Sequence, residues 1–482
     1  MDRRNFLKYS LLASASGVGT LSGFGTGISH AQAACTAPAM PRTIVNVMLY
    51  GGADTRFIFM PAPNHVSPTN YVDLIWAARA GLYPNAYPDY ATMFAAEYDL
   101  VVDPGGFLFG IHKSCGWLTD QFNQGNVAII ANSVCSQNRR HDQSQLNANV
   151  AEPDFGDLIY NRDGWGGRLV DYNVANGRPG QNAIELSHEI SVFCNGAAEG
   201  QRLDQVVHAR DTRNIGLPTI EPGQNATGST AIMTRALKSY YAGREPEIAS
   251  KPVGWPYRKF FQHNNALRAF GDIVDARLTD CGPLPASLSG LTLNSGHFRQ
   301  QCRNLYDLTL LSDIFDQSVV SMRYDSWDTH NNQNDRITRN LSDLFGLAGG
   351  LSTATSEIAN HGGGHLDNMA FCFSSDFGRQ IRANGDFGTD HGRGLYSIVL
   401  SPSVAGGIYG EMFPERESTV IDGKIALETS GADILGQTST ERILQQLSEW
   451  QSAGSSPSVV VDAASSIEET PGILNGLLSS SV

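Results

Sequence analysis

The chain has 482 residues, with 34 Lys+Arg against 48 Asp+Glu and a formal net charge of −14. Hydrophobic residues at 41% and charged residues at 17% supply a large core and exclude a disordered chain. The acidic balance excludes a broad nucleic-acid-binding surface, and beyond the N-terminus no apolar run is long enough for a membrane span to be expected.

Residues 1–33 read as an export signal. Arg3-Arg4-Asn5-Phe6-Leu7-Lys8 has the form of a twin-arginine motif, with Asp2 where Ser or Thr is more usual. A weakly apolar stretch, Tyr9 to Ile28, follows. Ala31-Gln32-Ala33 then places small residues at the cleavage positions. The expected carrier is the twin-arginine translocase, and the expected location is periplasmic or extracellular. Cleavage after Ala33 leaves 449 residues with 31 basic against 47 acidic, a net charge of −16. Cys35 lies just beyond the cut. Gln32 stands where a lipobox has Leu, so a lipid anchor is not expected.

The seven cysteines are Cys35, Cys115, Cys135, Cys194, Cys281, Cys302 and Cys372. None forms a CxxC pair, which argues against a zinc or redox motif. An oxidising compartment permits disulfides. Proximity in sequence suggests Cys115–Cys135 and Cys281–Cys302, and Cys372 is the best candidate for a free thiol.

In chain order, the β-rich runs are Ile44–Tyr50, Val127–Ser133, Val319–Tyr324, Met369–Ser374 and Ser397–Ser401. Each is apolar with little alternation, as in strands buried on both faces. Helical patterns occupy Tyr257–Leu278, Arg303–Phe315, Arg336–Ile358 and Glu441–Trp450. Interleaved strands and helices predict an α/β fold with a mostly parallel central sheet covered on both sides. Residues 34–453 form the domain, with an insertion or cap at about 153–256 carrying short antiparallel strands. Residues 454–482 form a Ser/Ala-rich tail.

In such sheets, ligands bind at the carboxyl ends of strands. Gly51-Gly52-Ala53-Asp54-Thr55 follows the first strand, and Asn138-Arg139-Arg140-His141-Asp142 follows the second. Asp325-Ser326-Trp327-Asp328-Thr329-His330 follows the third. Ser374-Ser375-Asp376-Phe377-Gly378-Arg379 follows the fourth, and Gly388-Thr389-Asp390-His391-Gly392 lies in the next loop. Asp and His together suit a divalent metal, and Arg140 or Arg379 suits an oxyanion. Asp376 taken alone reads as a helix N-cap. His361 and His365 lie in a Gly-rich segment expected at the surface, outside any ligand set. No GxSxG elbow, Walker A loop or Rossmann fingerprint appears.

Taken together, these segments resemble the bacterial, twin-arginine-exported domain-of-unknown-function family 1501. The likeness extends to Ile111-His112, Gly164-Trp165-Gly166-Gly167-Arg168-Leu169 and Gly406-Gly407-Ile408-Tyr409-Gly410. That family looks related to the alkaline-phosphatase and sulfatase superfamily, which implies a three-layer α/β/α sandwich. The resemblance implies metal ligands at Asp54, Asp328, His330, Asp376, Asp390 and His391. One ion would take Asp328, His330 and His391; a second would keep Asp54 and Asp376, because Phe377 stands where the superfamily has His. Zn or Mn is the implied ion, in one or two copies.

The family's usual Ser is replaced by Arg140. Thr55 or Ser144 would replace it as nucleophile, or a metal-bound hydroxide would act without a covalent intermediate. His141 and Arg140 would contact the anion or transfer a proton, and Arg379 would bind substrate. The expected function is an exported metal-dependent hydrolase of phosphate or sulfate esters. The competing expectation is a catalytically inactive binding or cell-surface assembly protein, with carbohydrate as the alternative ligand class.

Overall fold

The apolar run TIVNVML forms β1 (Thr43–Leu49), buried along its whole length. This computed structural model describes residue 35 and residues 40–479, apart from 84–86, 153–155, 159, 161, 190, 197–205, most of 215–269, 433, 435, 454–459 and 462–466. The other strands of the main sheet are β2 (Val127–Val134), β3 (Asn182–Glu185), β4 (Val206–His208) and β5 (Gln317–Tyr324). They continue with β6 (Met369–Ser375), β7 (Gly394–Leu400), β8 (Gly407–Tyr409) and β9 (Thr438–Ser439). Their order is β8-β2-β7-β6-β1-β5-β3-β4, with β9 also paired to β2.

All pairings are parallel except those of β7, which runs antiparallel to both β2 and β6. The carboxyl ends of β1, β2, β5 and β6 therefore share one edge. That edge is where the Asp- and His-bearing segments emerge.

The sheet is buried on both faces because its strands carry no polar alternation. On one face Ile44, Ala128, Ile130, Val319, Ala370 and Val399 pack against the helices Trp165–Ala175 and Thr440–Gln451. The same cluster takes in Leu474 and Leu477 from the C-terminal segment. The end of the expected tail is thus anchored, by isolated bridges Val404–Leu478 and Thr438–Glu468 as well as by burial.

The helical reading needs adjustment. Arg303–Phe315 lies within a helix Gly296–Leu310 and a short turn Ser312–Phe315. The run Arg336–Ile358 is two helices, Gln333–Phe345 and Gly350–His361, broken at the glycines between them. Most of Tyr257–Leu278 lies outside the described residues. Within 153–256, β3 and β4 pair in parallel with the main sheet, rather than forming an antiparallel cap. An antiparallel sheet of Phe59–Pro61, Leu108–His112 and Tyr98–Val102 was not legible in the sequence.

The chain separates into two compact units. The larger comprises residues 38–210 and 284–482 and holds everything described above. The smaller comprises residues 1–37 and 211–283. Within it Cys35 is bonded to Cys281, and the expected pairs are not formed. Cys115, Cys135 and Cys302 are free and buried, as is Cys372. Sequence proximity failed here because the bond closes a separation of 246 residues. Peptide mapping under non-reducing conditions should recover a Cys35–Cys281 cross-link. Cys281→Ser should lower stability by roughly 2–4 kcal/mol.

Candidate functional site

The turn after β1 is tight. Gly52 has φ +72, and a Cβ there would lie 2.2 Å from the Phe377 ring. Gly52→Ala combines a left-handed backbone with overpacking, so it should cost about 2–4 kcal/mol in a denaturation experiment. The close approach lets Asp376, at the end of β6, accept from Gly51 N at 3.1 Å and Gly52 N at 2.6 Å. Ser375 Oγ donates to the same oxygen at 2.9 Å.

The other Asp376 oxygen lies 2.7 Å from Nδ1 of His141, the first residue of the helix His141–Val150. A carboxylate only accepts, so His141 carries a proton on Nδ1, which leaves Nε2 as the lone pair of the neutral ring. That hydrogen bond from the buried Asp376 raises the His141 pKa, against partial burial and with further help from the Asp376 and Asp328 charges. His141 Nε2 has no hydrogen-bond partner and points toward Asp328 Oδ2 at 3.7 Å.

Two further imidazoles are fixed the same way. His330 Nδ1 lies 3.1 Å from Asp390 Oδ1, and His391 Nδ1 lies 2.9 Å from the Arg139 carbonyl. Both acceptors place the proton on Nδ1, leaving Nε2 as a lone pair. Those two Nε2 atoms stand 2.9 Å apart, and each is 3.2 Å from Asp328 Oδ1. Among the described residues, His141, Asp328 and His391 form a group whose ligand atoms all lie within 4.8 Å of one another.

This donor set fits a cation. The 2.9 Å separation of the two Nε2 atoms is satisfied by a proton on one of them or by a cation held between them. In tetrahedral zinc with Zn–N near 2.0–2.1 Å, neighbouring ligand atoms are about 3.3 Å apart. Each ring also has the second partner that ligating histidines need. Burial favours the neutral form of His391, and the Arg379 charge acts in the same direction, so its pKa is lowered. Burial works to raise the Asp328 pKa, but Arg379, His391 and His330 outweigh it and hold it at about 2.

The remaining sequence-predicted residues are placed differently. Asp54 is buried, and its carboxylate accepts from Arg79 and, at 2.7 Å, from Gln333 Nε2. It also caps the turn Thr55–Phe57 through Phe57 N at 3.2 Å. Thr55 is buried, and its Oγ1 accepts from Tyr396 N at 2.6 Å. Ser144 is buried, and its hydroxyl is engaged by Asn138. Arg140 is exposed and pairs with Asp142.

Arg379 is fully buried, in the hairpin strand Gly378–Ala383 that pairs with Thr389–Gly392. It donates to Gly51 O at 2.6 Å, Gly52 O at 2.7 Å and Thr389 O at 2.9 Å, and it pairs with Asp328. Its charge therefore faces Asp328 rather than solvent.

Sequence reasoning missed three supports. Gln333, at the start of its helix, bridges Asp54, Thr329 and Thr389. Asn384 donates to the His330 carbonyl at 2.9 Å and to Asp390 at 3.3 Å. Arg79 neutralises Asp54 from the helix Tyr71–Arg79. None belongs to a motif; an Arg ending an otherwise apolar helix face is the nearest thing to a signal.

No curated protein matches the chain. Residues 313–435 match the family described as protein of unknown function, DUF1501; the matched segment carries Asp328, His330, Asp376, Arg379, Asp390 and His391 but not Asp54 or His141.

Proposed function

We propose that this protein is an exported metal-dependent hydrolase of phosphate or sulfate esters, working with a single ion. The observation that carries this reading is the convergence of the His330 and His391 Nε2 atoms and Asp328, with both ring tautomers fixed by partners behind them. Asp328, His330 and His391 would hold the ion, with Zn or Mn suited to the nitrogen and oxygen donors. When bound, it would polarise the ester and offset developing negative charge. The strand-end placement and the largely parallel sheet support kinship with the alkaline-phosphatase and sulfatase superfamily and its α/β/α layering.

His141 takes the proton work. Its neutral Nε2 accepts a proton from the attacking water and returns it to the leaving oxygen, while Asp376 stabilises the imidazolium. Water is the nucleophile because the Thr55 and Ser144 hydroxyls are buried and engaged. One ion rather than two follows from Asp54, whose carboxylate is neutralised by Arg79. Where a second cation would sit, the protein supplies its own. The Cys35–Cys281 bond accords with the oxidising compartment reached by the export signal.

Metal content and a screen of phosphate and sulfate esters test the reading. His141→Gln should retain the ion and lose at least about a hundredfold in turnover; loss of the ion would make His141 a ligand. A second reading, a catalytically inactive binding or surface-assembly protein, is favoured by the saturation of Asp54. An Asp328-dependent ion with no ester turnover would support it.

A further inference from the structure

Three aromatic rings meet at the strand-end cluster. The His141 and His391 centroids lie 4.7 Å apart, edge to face. Phe377 packs against both, with its centroid 4.7 Å from His141 and 4.5 Å from His391. Phe377 is fully buried, whereas the His141 side chain is 32% exposed. Room for the Phe377 ring comes from Gly52, where a Cβ would overlap it. The residue before it, Asp376, holds His141 Nδ1 at 2.7 Å. One short segment therefore fixes His141 twice, by a hydrogen bond and by packing.

That double hold matters because His141 stands close to coordination. A ring nitrogen of His141, a carboxylate oxygen of Asp328 and a ring nitrogen of His391 all lie within 4.8 Å of one another. His141 Nε2 has no hydrogen-bond partner and is 3.7 Å from Asp328 Oδ2. By comparison, the Nε2 atoms of His330 and His391 are each 3.2 Å from Asp328 Oδ1, close to the spacing of about 3.3 Å in a tetrahedral shell. The Asp376 bond does not keep His141 off an ion, since ligating histidines commonly donate their second nitrogen to a carboxylate. Packing does. A close-packed interior yields little, and a ring in contact with both imidazoles fixes their spacing.

We propose that Phe377 is a positioning residue that holds His141 just short of the ion, so that the shell keeps an open position and His141 remains a base. The inference rests on the single-ion reading of Asp328, His330 and His391. A smaller side chain at 377 lets His141 close on the ion as a fourth protein ligand, which turns an open catalytic site into a closed structural one.

The test uses the full mature protein with Cu²⁺ as the probe, because that ion binds nitrogen and oxygen ligands tightly. The ion counted is the one that Asp328→Ala removes. Electron paramagnetic resonance reads the number of coupled imidazole nitrogens, and calorimetry reads the affinity. The wild-type protein should show two nitrogens, from His330 and His391. Phe377→Leu, and the more severe Phe377→Ala, should show three and bind Cu²⁺ about tenfold or more tightly. Adding His141→Gln to either should return the count to two. With the native ion, kcat on esters should fall about a hundredfold in both Phe377 variants. Two nitrogens with unchanged or weaker binding in both variants would make Phe377 a packing residue only, overturning the proposal and leaving the single-ion reading standing. Three nitrogens in the wild-type protein would make His141 a ligand already and overturn it as well. Wild-type protein that binds no such Cu²⁺ would sink the single-ion reading and the proposal with it.

Discussion

Arg79→Met is expected to cost the protein about 3–5 kcal/mol of stability, the largest effect of any single substitution considered. Arg79 and Asp54 form an ion pair whose side chains are 0% and 1% exposed. Removing the guanidinium leaves a carboxylate in a site with only Gln333 and one backbone N–H to compensate it. Replacing both partners is a different experiment. Arg79→Met with Asp54→Leu removes the uncompensated charge and should recover most of the loss, because buried pairs contribute little net stability over apolar packing. Urea denaturation of the two variants checks this. Equal destabilisation of both would mean that Arg79 acts through packing alone.

Asp376→Asn is expected to lower kcat by about 10²–10⁴ with little change in folding. The substitution keeps an oxygen for Gly51 N, Gly52 N and Ser375 Oγ. Toward His141 it presents an N–H, which drives the imidazole proton onto Nε2 and removes the base. The pH profile carries a second signature. A base works only when unprotonated, and Asp376 raises the His141 pKa. On the proposed hydrolase reading, the wild-type protein should therefore lose activity on acidification at a pH above the ordinary histidine value of about 6.5. In Asp376→Asn the residual activity should persist to lower pH. A rate loss with an unmoved acidic limb would assign Asp376 a purely structural role.

Much of this arrangement was legible in the sequence. Uninterrupted apolar runs such as Ile44–Tyr50 and Met369–Ser374 marked strands buried on both faces; those two ended within one residue of the observed strands, whereas Ser397–Ser401 began three residues late. The segments following those strands bring Asp328, His330, Asp376, Asp390, His391 and His141 together. What the sequence did not reveal is which carboxylates face one another. Asp54 and Asp376 read alike as strand-end acids. Yet one is neutralised by an arginine from a distant helix and the other orients an imidazole.

The burial of Arg379 against three carbonyls was likewise invisible in the sequence, because it is a tertiary fact. The helix His141–Val150 escaped notice because HDQSQLNANV is polar and short, with no apolar period. Its helicity is set by packing in the fold. The glycine triplet Gly362–Gly364 misled in the opposite sense. Its composition suggested an exposed loop, whereas its conformation folds His365 inward.

The proposed function requires that Asp328, His330 and His391 hold one catalytic ion. Its most direct test is the metal content of protein exported by its own host, with ester hydrolysis measured on the same sample. About one equivalent of a divalent ion should be lost in Asp328→Ala, and hydrolysis with it. Protein that contains no stoichiometric ion, or that hydrolyses esters equally well after Asp328→Ala, would contradict the account.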